Sequence, residues 1–135
     1  MKKLLISLAL LLSSTAQAGV AVIVHPSNAS SLGQAEISRI FLGKMKSYPG
    51  GGPAVPINLA EGSGPRGEFE KAVLKKSASQ IKAYWSKLVF TGKGTPPKEV
   101  ANDAEVINLI KSNPNLIGYV SDTAVTGDVK VVATF

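Results

Sequence analysis

The sequence predicts an α/β domain with a mixed β-sheet flanked by helices, and three observations carry that prediction. Short runs rich in β-branched and apolar residues recur at Val20–Val24, Val55–Leu59, Ile117–Val120 and Val129–Val132. Between them lie segments whose apolar residues fall at helical spacing, and Gly, Pro and Asn clusters punctuate the joins. Strands alternating with helices bury each other's apolar faces in layers, so this pattern reads as one α/β domain with a mixed sheet.

The elements follow in order. Val20-Ala21-Val22-Ile23-Val24 has no polar alternation and so predicts a strand covered on both faces, ended by His25-Pro26-Ser27-Asn28. Ser31 with Gln34 three residues on matches a capping box, opening a helix that buries Leu32, Ile37, Ile40 and Phe41 and stops at Gly43. From Lys44 to Pro56 the chain is Gly/Pro-rich and predicts an exposed, flexible loop. Val55–Leu59 predicts a short strand, and Glu61-Gly62-Ser63-Gly64-Pro65-Arg66 a sharp turn into a helix carrying Phe69, Val73 and Leu74. Ser77 or Ser79 starts a further helix with Ile81, Tyr84, Trp85, Leu88 and Val89 on one face. After a loop at Phe90–Pro97, a helix runs from about Asp103 to Lys111 and ends at Asn113-Pro114-Asn115. Ile117–Val120 and Val129–Val132 are the last strands, joined by a polar turn around Gly127. The expected order is therefore β-α-β-α-α-α-β-β.

The first eighteen residues read as an export signal. Lys2 and Lys3 form a positive start, Leu4–Leu12 an apolar run shorter than a bilayer span, and Ala16-Gln17-Ala18 a small-x-small cleavage pattern. Residues 1–18 are thus a cleaved signal peptide, and 19–135 a single domain acting in the periplasm without membrane insertion. The chain has no cysteine, so neither disulfides nor thiolate metal sites are available. Its net charge of +6, or +4 without Lys2 and Lys3, suits anionic partners. The lysines are dispersed and not interleaved with aromatics, which argues against nucleic acid.

Catalysis is hard to assemble. His25 is the sole histidine and stands in a turn, so there is no base late in the chain for Ser63 and no second ligand for a metal. A non-enzymatic role with no metal and no cofactor follows. The stronger signal is the Glu61–Phe69 segment. A helix start leaves backbone N–H groups unpaired and carries partial positive charge; glycines permit close approach, Ser63 adds a hydroxyl, and Arg66 a two-pronged guanidinium. Two arrangements are open from the residues alone. Either Ser63, Gly64 and Arg66 converge on an anion, or Ser63 is an ordinary N-cap and Arg66 pairs with Glu70 one turn along.

Several stretches resemble the substrate-binding proteins of phosphate ABC transporters, whose fold is the two-lobed periplasmic binding type. Ala21–Asn28 resembles the segment crossing between lobes, Ile40-Phe41-Leu42-Gly43-Lys44 a helix end, Glu61–Phe69 an anion-binding turn, and Asn113–Val120 a strand. Ala83–Gly94 is similar to short, single-domain relatives. The resemblance implies a single three-layer lobe of that fold, with inorganic phosphate or a similar small oxyanion held by Ser63, Gly64 and Arg66. Two departures stand against it: Pro65 occupies a position where the family commonly has Thr, and only the signal segment precedes the crossing strand. A lone lobe supplies half of a closing site, so millimolar affinity is expected unless a second copy stands in for the missing half. The alternative is a non-transport scaffold, a lobe that docks another envelope protein.

Overall fold

The structure, a computed structural model, describes residues 19–135; the expected signal peptide lies outside the described residues. Five strands form one mixed sheet: β1 (Val20–Val24), β2 (Val55–Leu59), β3 (Lys98–Val100), β4 (Leu116–Ser121) and β5 (Lys130–Thr134), in spatial order β3-β2-β4-β1-β5. β2 runs parallel to both β3 and β4, whereas β1 runs antiparallel to β4 and β5. The helices are α1 (Gln34–Phe41), α2 (Gly64–Phe69), α3 (Ala78–Phe90) and α4 (Asp103–Ser112). The expected α/β class and mixed sheet are those observed.

Layering follows from alternation along β4, where neighbouring residues face opposite sides of the sheet. Gly118 faces α4, close to Val106 and Ile110. Tyr119 faces the other layer and stacks on Phe69 of α2 with ring centroids 4.0 Å apart, while Phe41 of α1 meets Phe69 edge-on at 4.6 Å. Every residue of β1 is buried, as an unbroken apolar strand with a paired neighbour on each side requires.

Five local expectations change. α1 is capped at Gly33, not Ser31: the Gly33 N–H donates to the Glu36 carboxylate at 3.0 Å, and the Gln34 amide donates instead to the Val73 carbonyl. A charged acceptor in the first turn outcompetes a neutral amide there. The Lys44–Pro56 segment is anchored, because Tyr48 is buried and its hydroxyl donates to the Asn115 carbonyl at 2.9 Å. α2 continues into a wider π-helical turn, Glu70–Leu74, which ends at Lys75 in the left-handed region (φ 54°). Finally, Lys98–Val100 forms a strand where none was expected, and Val89 at the end of α3 is 54% exposed, apart from the buried face it was expected to share with Ile81. Ser77 does open α3, in a reciprocal capping box with Gln80.

Candidate functional site

The turn between β2 and α2 lies at the sheet end where Gly19 and Phe135 also meet, since Val20 and Phe135 exchange backbone hydrogen bonds there. Ala60–Gly62 makes the turn, with Gly62 at φ +83°, a conformation that favours glycine. Ser63 is the N-cap of α2: its hydroxyl oxygen accepts the Arg66 N–H at 3.2 Å. The Ser63 N–H is itself spent on the Ala60 carbonyl at 3.2 Å. Gly64 is exposed, with open space where a side chain would stand. Its N–H is the first of the helix and has no acceptor within it. Pro65, next in line, contributes none.

Arg66 is 8% exposed. Its Nη1 donates to the Leu59 carbonyl at 2.9 Å and to Glu99 Oε1 at 2.7 Å, and its Nε lies 3.7 Å from Glu70 Oε2. Burial works against the guanidinium's charge, but the Glu99 hydrogen bond and the charges of Glu70 and Glu99 outweigh it and hold the group above its ordinary range. Burial pushes the Glu70 carboxyl up, with Arg66 pulling the other way. Ser63 caps α2 and Arg66 pairs with Glu70, the contacts of the second arrangement, yet neither contact uses the Ser63 O–H or the Gly64 N–H that the first arrangement would offer an anion. The structure adds a second carboxylate, Glu99, that sequence reading missed because no strand was expected there.

Two depressions meet at Arg66. A cavity of about 250 Å³ is lined by Glu61, Gly62, Glu70, Ser79 and Lys82 beside the guanidinium. A wider groove of about 490 Å³ shares Glu61, Arg66 and Lys82 and continues over Trp85, Val89, Phe90, Pro96 and Glu99. Phe90, at its rim, is 92% exposed. The ionisable lining is thus two cations against three carboxylates.

Elsewhere, His25 Nδ1 accepts the Ser27 N–H at 3.1 Å and lies 2.7 Å from its hydroxyl, the pattern of a turn residue. Among the described residues no group of three or more His, Cys, Asp or Glu is placed to hold a metal, and no helix is long and apolar enough to cross a membrane.

The sequence matches no family model and no curated protein. Solved structures do match. An ABC-type phosphate transport receptor from Vibrio cholerae superposes with a TM-score of 0.66 at 17% identity, over 85% of this chain and 45% of that one. A Clostridium perfringens protein, described as a phosphate ABC transporter substrate-binding protein and holding bound phosphate, gives 0.67 at 24% identity, over 85% and 44%. PstS from Borrelia burgdorferi gives 0.56 at 16%, over 78% and 42%. The chain therefore has the fold of part of these receptors, and spans less than half the length of each.

Proposed function

We propose that this chain is a non-catalytic binding lobe, exported to the periplasm, that takes inorganic phosphate or a similar small oxyanion at the β2–α2 turn through Ser63, Gly64 and Arg66. The observation that supports it most is a nearly buried guanidinium beside a cavity of about 250 Å³, whose lining includes Gly62 and Arg66 but neither Ser63 nor Gly64, in a fold shared with phosphate receptors. The donors left to a ligand are the Gly64 N–H, the Ser63 O–H and a guanidinium shared with carboxylates. Two or three charge-assisted hydrogen bonds contribute about 1–3 kcal/mol each before the cost of association, which amounts to roughly millimolar binding.

Thermal unfolding in phosphate, against chloride at equal ionic strength, tests this. At about 50 mM phosphate a site of roughly millimolar affinity stabilises the folded state by about 2 kcal/mol. Ser63→Ala, which removes the hydroxyl and leaves Arg66 in place, should lower that gain. An unfolding midpoint identical in phosphate and chloride removes the proposal.

The second reading, a scaffold lobe that docks an envelope protein or a second copy, is favoured by one specific observation. Ser63 and Arg66 are both occupied within the fold, and the adjoining groove ends in an exposed Phe90. It requires a stable stoichiometric partner in envelope extract whose retention depends on Phe90 and not on phosphate.

A further inference from the structure

We propose that Glu99 is a built-in competitor at the oxyanion site, its carboxylate occupying the guanidinium of Arg66 until an incoming anion displaces it. The inference rests on the reading of the Ser63–Arg66 turn as the binding site.

Three groups hold the guanidinium, and only one of them can leave. The Leu59 carbonyl is backbone of an interior strand and takes one hydrogen of Nη1 at 2.9 Å. Glu70 is fixed one helical turn from Arg66, and its side chain is only 8% exposed. Glu99 takes the other hydrogen of Nη1 at 2.7 Å, yet its side chain is 48% exposed. It also stands on β3, a three-residue strand at the edge of the sheet whose strand partner is β2 alone. A rotation about its side-chain bonds puts that carboxylate into water with no change in the backbone. The Nη1 hydrogen bond it vacates is then open to an anion in the wider groove, which both Arg66 and Glu99 line.

Glu99 also lines the wider groove that meets the cavity at Arg66, so it stands on the side from which a ligand approaches the guanidinium. An anion entering while Glu99 remains faces a like charge within a few ångström. One entering after its departure finds a guanidinium paired to Glu70, with Glu61 the other carboxylate lining the depressions. The contact is thus an internal ion pair that weakens ligand binding and, by the same token, keeps a nearly buried cation paired when no ligand is present.

The test is titration of the full mature chain with inorganic phosphate at fixed ionic strength. It compares wild type, Glu99→Gln and the remote charge control Asp128→Asn, with far-UV circular dichroism to establish that each is folded. Removing a unit charge next to the ligand, discounted for its half-exposed position, predicts about tenfold tighter binding for Glu99→Gln and no change for Asp128→Asn. Adding Ser63→Ala to Glu99→Gln should cancel most of the gain. Binding by Glu99→Gln where wild type shows none supports the inference as well. Wild type that binds with Glu99→Gln equal or weaker overturns it and leaves the site itself standing. A gain that survives Ser63→Ala intact also overturns it, because the anion is then held elsewhere. If neither wild type nor Glu99→Gln binds, the reading of the turn as a site falls, and the competitor with it.

Discussion

Removing Arg66 and removing Glu99 break the same 2.7 Å contact, but the two changes should cost very different amounts. Arg66→Ala strips the Leu59 carbonyl of its side-chain donor and leaves the Glu70 carboxylate, only 8% exposed, without a counter-charge. An unpaired buried charge costs about 3–5 kcal/mol. Glu70 can relieve part of this by taking a proton, so the lower end, about 3 kcal/mol, is expected. Glu99→Gln leaves Arg66 with both its other partners and removes only a half-exposed group, a loss of about 0–1 kcal/mol. Urea unfolding followed by the fluorescence of Trp85, the single tryptophan, measures both, with equal m-values required for the comparison. The pH dependence has a definite sign. Burial raises the folded-state pKa of Glu70 above its ordinary value, so the protonated form is favoured in the fold. Stability is then fullest below the unfolded pKa and is lost as pH rises through the folded one. The deficit of Arg66→Ala should therefore shrink as pH falls from neutral towards the ordinary carboxyl value of 4.5. Equal losses for the two variants, or a larger loss for Glu99→Gln, would refute the assignment of Glu70 as the trapped charge.

Gly118→Ala should destabilise by about 1–3 kcal/mol through overpacking, because its Cβ would stand 2.8 Å from Val106 Cγ1 and 3.1 Å from Ile110 Cδ1 and Ile57 Cγ1; a urea midpoint unchanged from wild type would show that α4 yields freely. Burial pushes the Tyr48 phenol from 10.0 to about 12, against a hydrogen bond with Asn28. Its contribution is thus full below pH 10.0 and lost as pH rises towards about 12, and Tyr48→Phe should flatten that part of the alkaline unfolding profile; superimposable profiles would count against it. Lys75 holds φ 54° and ψ 40° at the end of the π-helical turn, where a side chain is strained by about 1–2 kcal/mol. Lys75→Gly should gain about 0.5 kcal/mol in chemical denaturation after its own entropic cost, and a loss would show that the Lys75 side chain contributes more than its strain takes away.

The central strands were legible because their physics is local. Val20–Val24 has no polar residue to face water, so only a covered position suits it, and it lies between β4 and β5. Ser77 with Gln80 was legible as a start for the same reason, since both halves of that capping box lie within one turn. The misassignments share a different cause. Lys98-Glu99-Val100 carries no apolar alternation and follows two prolines; it is a strand because β2 offers an unpaired edge, with Ile57, Asn58 and Leu59 opposite Lys98, Glu99 and Val100. Ser31 and Gln34 match a capping box as well as Gly33 and Glu36 do in spacing alone, and the contest is settled by Glu36 being charged and by the Val73 carbonyl lying within reach of Gln34.

The candidate site divides along the same line. The Ser63 cap and the Arg66–Glu70 pair follow from helix geometry, which brings residues three and four apart onto one face, and both were readable as one of two arrangements. Glu99, thirty-three positions after Arg66, enters only through the parallel register that sets it beside Asn58. A glycine-flanked serine followed by an arginine therefore specifies a set of donors and says nothing of the counter-charge that meets them. In this fold that counter-charge comes from Glu61, Glu70 and Glu99 against Arg66 and Lys82. If an oxyanion binds here, its affinity is governed by how readily the exposed member of that carboxylate set withdraws. Substitutions on β3, outside the recognisable turn, should then shift phosphate affinity more than conservative changes at Gly64, where open space already surrounds the backbone.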